Sequence, residues 1–302
     1  VLQNQALAQG DAYKDFYKTD YKATTNDWKT NLQLPCSWTR QGFDFSIYTN
    51  VTMPWQSKYD SNVSAPNAPA NYNPVGLYRK TFKVTDDMKA ANGRVYLSFQ
   101  GVESSYYVYV NGKEVGYSED SYSPHSFDIT DYLTTDGSDN LLAVEVHKFC
   151  DGTWMEDQDM YYDGGIFRDV YLLKRPEAVL YDYFTTTKLL GSTADVEICA
   201  KFLGSAAETV NIRIQDMDGN TVAAGGFKET AEGEYSHKAV FTIMEPKLWN
   251  PETPYLYQVV FETEGEVITD RIGLREVKRD GSVIYINGVK VKFNGVNRHD
   301  SD

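Results

Sequence analysis

Cys150-Asp151-Gly152-Thr153-Trp154-Met155-Glu156-Asp157-Gln158-Asp159-Met160-Tyr161-Tyr162-Asp163-Gly164-Gly165-Ile166-Phe167-Arg168-Asp169-Val170-Tyr171 joins two stretches with the pattern of β-strands. Before it, Leu142, Val144 and Val146 alternate with Ala143, Glu145 and His147, the period of a half-buried strand. After Gly164-Gly165, residues Ile166 to Leu173 read as a second strand. Between them stand four carboxylates, Glu156, Asp157, Asp159 and Asp163, with the rings of Trp154, Tyr161 and Tyr162. A carboxylate accepts hydrogen bonds from hydroxyl groups, and a flat ring packs against the apolar face of a pyranose. An acidic, aromatic loop between rigid strands therefore has the chemistry of a sugar site, and equally the composition of a solvated surface loop.

Outward from the loop the alternation continues. Val95, Leu97 and Phe99 alternate with Tyr96, Ser98 and Gln100. Tyr106–Val110 and Glu114–Tyr117 flank Asn111-Gly112, the pair that suits a type I′ hairpin because both central residues take positive φ. Leu32 to Trp38 reads as a short strand stopped at Pro35, and Ser64 to Pro74 as a loop. Phe127 to Leu133 reads as a strand end running into one helical turn, with Thr130 or Asp131 as N-cap. Many short strands separated by turn signals predict an all-β sandwich.

Pro176 closes this first domain, 1–176, since proline cannot continue a central ladder. Residues 177–276 have the size of an immunoglobulin-like sandwich. The strands expected there are Val196–Phe202, Val210–Gln215, Lys238–Ile243 and Tyr255–Glu262, with a turn at Asp218-Gly219 and Trp249 filling the core. A last hairpin, Ser282 to Phe293, turns at Asn287-Gly288 and opens a third segment, 277–302.

Lys and Arg number 29 against 43 Asp and Glu, a formal charge of −14 over 302 residues, so a phosphate backbone would be repelled and nucleic acid is not an expected partner. Three distant cysteines, Cys36, Cys150 and Cys199, make neither a disulfide framework nor a metal-ligand spacing. No apolar run approaches the ~20 residues that span a bilayer, so no membrane partner is expected. Val1 to Gly10 lacks the pattern of a signal peptide, which makes a cytoplasmic protein the expectation and a secreted one the alternative. Asn50 and Asn62 head Asn-x-Ser/Thr sequons, relevant only after secretion.

Glu156-Asp157-Gln158-Asp159-Met160 followed by Gly165-Ile166-Phe167-Arg168-Asp169-Val170 resembles the signature of glycoside hydrolase family 2, in its β-galactosidase branch. Three more stretches are similar to motifs of that family, in the same order: Ile47 to Pro54, Leu248 to Tyr257, and Asn294 to His299. The family's opening strand has no counterpart, so the chain is expected to begin just downstream of it. The resemblance implies a jelly-roll (galactose-binding-like) β-sandwich, an immunoglobulin-like β-sandwich, and the first hairpin of a (β/α)8 barrel. It implies that Asp159 binds a sodium ion and galactose hydroxyls, that Asn50 lines the same pocket, and that His299 contacts the sugar and stabilises the transition state.

The implied substrate is a terminal non-reducing β-galactoside, cleaved with retention, and a homo-oligomer is among the implied assemblies. Retention needs two carboxyl groups about 5–5.5 Å apart. Glu156 and Asp159 share one loop with no facing wall, and the resemblance places both catalytic glutamates, with most Mg2+ ligands, beyond Asp302. This chain is therefore expected to be inactive alone, with Na+ and Mg2+ belonging to the parent enzyme. Glu156 and Asp157 are read as fixing the loop, and Arg168 as pairing with a carboxylate. The alternatives are a stand-alone carbohydrate-binding module and a β-glucuronidase or β-mannosidase of the same family. Against the former of these two enzymes, Asp159 would repel a glucuronate carboxylate.

Overall fold

The computed structural model describes residues 2–3, 13–22, 28–30, 32–56, 58–89, 93–203, 209–229 and 235–297. The chain forms two compact units, Val1–Lys174 and Arg175–Asp302.

In the first unit a five-stranded antiparallel sheet runs in the order Leu2–Gln3, Val75–Phe82, Asn140–His147, Ser105–Val110, Lys113–Ser118. A second sheet runs Val170–Arg175, Arg94–Phe99, His125–Asp128. Inward side chains of the two meet in one core: Tyr106, Val108, Val144 and Val146 from the first, and Val95, Leu97, Phe99 and Phe127 from the second. Alternation dictates this, because only every second residue of a strand points into the sandwich. The hairpin at Asn111-Gly112 forms as expected, with φ of 50° and 79°.

Three readings of this unit need correction. Leu32–Trp38 is not a strand: Pro35 interrupts the donor row, and only the Cys36 and Trp38 N–H groups reach the carbonyls of Ile166 and Gly164. Ile166–Leu173 is two strands, not one. Gly165–Ile166 pairs with Val102–Glu103, whereas Val170–Arg175 joins the three-stranded sheet, so the chain changes partners over Phe167–Asp169. The helical turn, Thr130–Tyr132, is capped by neither residue proposed for it. Asp128 Oδ1 accepts from the Thr130 N–H at 3.1 Å and from its hydroxyl at 2.7 Å.

The second unit packs two four-stranded sheets. One runs Val179–Leu190, Thr193–Leu203, His237–Met244, Lys228–Glu229, and the other Thr221–Gly226, Asn211–Gln215, Tyr257–Glu262, Val267–Ile272. Val196, Ile198 and Ala200 from one face Ile212, Ile214, Val259 and Phe261 from the other. Trp249 is not in that core. It is partly exposed, stacked under the Arg275 guanidinium at 4.4 Å and against Gly273, where any Cβ would lie 2.8 Å from the indole. A ring that broad fits where a glycine leaves room, and the core positions are filled by smaller side chains. The terminal hairpin, Val283–Ile286 and Val289–Val291, turns at Asn287 (φ 50°) and Gly288 (φ 77°), and a further strand, Val277–Asp280, pairs with it.

Both units are all-β, a jelly-roll sandwich followed by an immunoglobulin-like sandwich and a hairpin.

Candidate functional site

Two sequence motifs more than a hundred residues apart become one small sheet. Ile47–Thr49 pairs antiparallel with Met160–Tyr162, in the register Tyr162↔Ile47, Tyr161↔Tyr48, Met160↔Thr49. Asn50 follows the first strand and Asp159 precedes the second, so both stand at the same end of the ladder. Alternation turns Tyr48 and Tyr161 outward together, 53% and 51% exposed, with ring centroids 5.1 Å apart. The Tyr48 hydroxyl donates to Asp159 Oδ1 at 2.5 Å, and that bond, with desolvation and the carboxylate's charge, raises the Tyr48 pKa. Two tyrosine rings, one of them bonded through its hydroxyl to a carboxylate, thus share one face, a set that hydrogen-bonds hydroxyl groups and stacks on an apolar ring face.

Of the expected site residues, Asn50 and Asp159 come to this one end of the ladder, and His299 lies outside the described residues. Sequence reading missed Tyr48. The signal was present in the Ile47–Pro54 motif, where strand alternation places Tyr48 on the face opposite to Ile47 and Thr49.

The rings flagged in the acidic loop divide by role. Tyr162 is 2% exposed and packs with Trp55, Met53 and Phe149. Trp154 lies edge-on to Trp55 at 5.4 Å and donates its indole N–H to the Asn67 carbonyl at 2.9 Å, so it braces the loop. Glu156 accepts from the Ser121 N–H and hydroxyl at 2.6 and 2.8 Å, and Asp157 from the Tyr162 hydroxyl at 2.5 Å. Asp157 braces the loop from within and Glu156 ties it to the segment at Ser121, so both carboxylates fix the loop. Arg168 does so too, but through carbonyls rather than the carboxylate expected: it donates to Tyr122 O at 2.7 Å and lies over the Phe167 ring at 5.2 Å.

A buried ion pair ties the loop before Ile47 to the strand end before Cys150. Lys148 Nζ is 2.6 Å from Asp44 Oδ2 and donates to Phe45 O at 3.1 Å; the two charged side chains are 0% and 5% exposed. The Tyr72 hydroxyl donates to the other Asp44 oxygen at 2.8 Å. Alongside, Asn73 exchanges two 2.9 Å bonds with the Phe149 backbone.

Glu103 supports the far end of the loop. Its Oε2 accepts from the Gly164 and Asp163 N–H groups at 2.8 and 3.1 Å. Burial pushes its carboxyl up to about 7, against the lowering effects of those two bonds and of Lys148, while the Asp163 charge adds to the rise. A carboxyl whose pKa is higher folded than unfolded binds its proton more tightly in the native state. Its contribution is complete below the unfolded value of 4.5 and is lost as pH rises to about 7. The loss amounts to about 3 kcal/mol. In urea melts run in EDTA, Glu103→Gln should therefore gain about that much relative to the parent chain between pH 4 and pH 8. A pH-independent difference would show that Glu103 does not titrate in this window. Elsewhere among the described residues, Glu119, Cys150 and Asp151 bring one ligand atom each within 4.8 Å of one another.

Comparison with known proteins follows the same division of the chain. The family model "Glycosyl hydrolases family 2, sugar binding domain" matches residues 10–176, and "Glycosyl hydrolases family 2" matches residues 178–275. A β-galactosidase of Clostridium acetobutylicum is 36% identical over 95% of the chain, and the aligned part is 32% of that protein. The β-galactosidase large subunit of Leuconostoc lactis is 34% identical over 95% of the chain and 47% of its own length. The chain thus spans 32% and 47% of these two relatives. Among solved structures, a β-glucuronidase from Ruminococcus gnavus in complex with D-glucuronic acid matches 83% of the chain and 48% of its own, with a TM-score of 0.60 and 20% identity, a likeness of fold. With its two β-sandwich units matched in order by the family's own models, the chain belongs to glycosyl hydrolases family 2.

Proposed function

We propose that this chain is the N-terminal, non-catalytic portion of a retaining β-galactosidase, and that it supplies one wall of the galactose pocket. The observation that carries the reading is the shared face of Tyr48, Tyr161 and Asp159, with Asn50 at the same end of the ladder, assembled from two family motifs. Identities of 34–36% to β-galactosidases along nearly the whole chain support that choice of sugar. The glucuronidase reading is less favoured because a carboxylate at Asp159 repels a uronate.

In this reading Asp159 accepts a galactose hydroxyl proton and also offers a hard oxygen to a sodium ion, the donor type such a cation takes. It is half-buried, with one oxygen already oriented by Tyr48, which suits a ligand that must keep a fixed direction. Asn50 lines the pocket beside it. His299, both catalytic glutamates and the magnesium ligands complete the site from the barrel, so the 302-residue chain alone does not turn over substrate.

Two measurements test this. The chain alone should release no chromophore from a nitrophenyl β-galactoside and show no heat with galactose or lactose, whereas a stand-alone carbohydrate-binding module would bind. The product of the longer reading frame should cleave the β-galactoside in preference to the β-glucuronide. There, Asp159→Asn removes a charged hydrogen bond worth about 1.5–3 kcal/mol. It should lower kcat/KM roughly ten- to a hundred-fold with Tm unchanged. Preference for the glucuronide, or an Asp159→Asn enzyme of full activity, would overturn the reading.

A further inference from the structure

Two cavities of the first unit meet at Tyr122. One, of about 350 Å³, has Tyr161, Phe167, Tyr122 and Arg40 on its wall. The other, of about 300 Å³, has Tyr122, Asp120, Glu156, Asp157 and Gln158 on its wall. Each is about the size at which pockets for small ligands begin. Tyr161 belongs both to the outward pair with Tyr48 and to the first cavity, and Tyr122 belongs to both cavities. The cavities therefore follow on from the sugar-facing pair, with an aromatic ring at each junction.

Tyr122 is 40% exposed, yet its surroundings hold it in place. Asp120, at φ 82°, folds the turn and accepts from the Tyr122 and Ser123 N–H groups at 3.4 and 3.3 Å. Ser121 is tied to Glu156, and the Tyr122 carbonyl accepts from Arg168 at 2.7 Å. The ring lies 5.7 Å from that of Phe167, and its hydroxyl donates to the Met160 sulfur at 3.8 Å, a weak acceptor that a sugar oxygen can replace. A ring already held in place loses little freedom when a ligand packs on it.

A pyranose offers an apolar ring face to such rings and hydroxyl groups that both donate and accept. The Arg40 guanidinium brings N–H donors to the first cavity, and Asp120, Glu156 and Asp157 bring acceptor oxygens to the second. Three carboxylates on that second wall disfavour an anionic sugar, since like charges brought together are costly. We propose that the two cavities bind the sugar units that follow the terminal galactose in a neutral oligosaccharide, the second unit against Tyr161 and Phe167 and the third against Tyr122. The inference rests on the β-galactoside reading above and adds to it a preference for oligosaccharides over simple galactosides.

The test measures initial rates of galactose release by the product of the longer reading frame from neutral galacto-oligosaccharides, disaccharide to tetrasaccharide, in a β-1,4-linked and a β-1,3-linked series. A nitrophenyl β-galactoside, which lacks further sugar units, is the reference. In at least one series kcat/KM should rise about tenfold from disaccharide to tetrasaccharide. In Tyr122→Ala the ratio of kcat/KM for the tetrasaccharide to that for the nitrophenyl substrate should fall about tenfold, the usual scale for truncating an aromatic contact. Tyr122→Phe, which keeps the ring, should retain most of the ratio. If Tyr122→Ala fails to fold, Phe167→Leu decides, with a fall in the same direction expected. No cleavage of the nitrophenyl substrate would remove the galactoside reading and this inference with it. Cleavage without a gain from chain length in either series, or a gain that Tyr122→Ala and Phe167→Leu both keep, would overturn this inference alone.

Discussion

Lys148→Ala should lower the unfolding free energy of the first unit by about 3–5 kcal/mol, because it strands a buried carboxylate. Asp44 keeps its Tyr72 donor at 2.8 Å but loses the ammonium group at 2.6 Å, in a site where neither charged side chain meets water to any extent. The pair's own net worth is smaller than this, since both ions were desolvated to form it. Replacing both at once, as Asp44→Leu with Lys148→Met, should therefore cost less than Lys148→Ala alone. Urea melts followed by tryptophan fluorescence report the effect, as four of the five tryptophans (Trp28, Trp38, Trp55, Trp154) lie in this unit. A loss under 1 kcal/mol would mean that water reaches the pair. The substitution should also loosen the candidate site, because Asp44 and Phe45 lead directly into the strand that presents Tyr48.

Trp38→Ala is the second large effect, again about 3–5 kcal/mol, the usual range for emptying a buried aromatic site. The indole is fully buried and donates to the Tyr78 hydroxyl at 2.6 Å. Three glycines are shaped around it: a Cβ on Gly76, Gly164 or Gly165 would lie 2.4, 2.5 or 2.8 Å from its ring. Backbone closes over the indole on those sides and cannot collapse into the space it leaves, so the cavity persists. Gly164→Ala approaches the same contact from the other partner, with added strain, because Gly164 sits at φ 73°. It should destabilise as well. Trp38→Phe, which keeps most of the volume, should be milder than Trp38→Ala by more than 1 kcal/mol. Equal melts for the two would show that the pocket relaxes.

Much of the architecture was legible because strand and turn signals are local. Alternation at Val95–Phe99, Leu142–His147 and Val196–Phe202 needs only the two-residue period of the pleat, and the Asn-Gly pairs at 111–112 and 287–288 need only their tolerance of positive φ. Asp159 and Asn50 were identifiable as residues of family motifs, a resemblance carried by short runs of sequence. That both stand at one end of the same ladder was not visible, since it depends on the pairing of Ile47–Thr49 with Met160–Tyr162, and for the same reason Tyr48 was passed over.

The misread elements have a common origin. Ile166–Leu173 is continuous as a pattern but divides because its halves find partners in different sheets, and Trp249 was assigned to a core whose space other side chains fill. Lys148 and Glu103 carry no mark in the sequence that one would be fully buried against Asp44 and the other held under Gly164. The sequence by itself determined where strands form and turn, because backbone sterics and alternation act between neighbours. Which strands adjoin, which charges are buried and which rings face outward was decided only by tertiary packing, because burial and pairing depend on groups brought together from far along the chain.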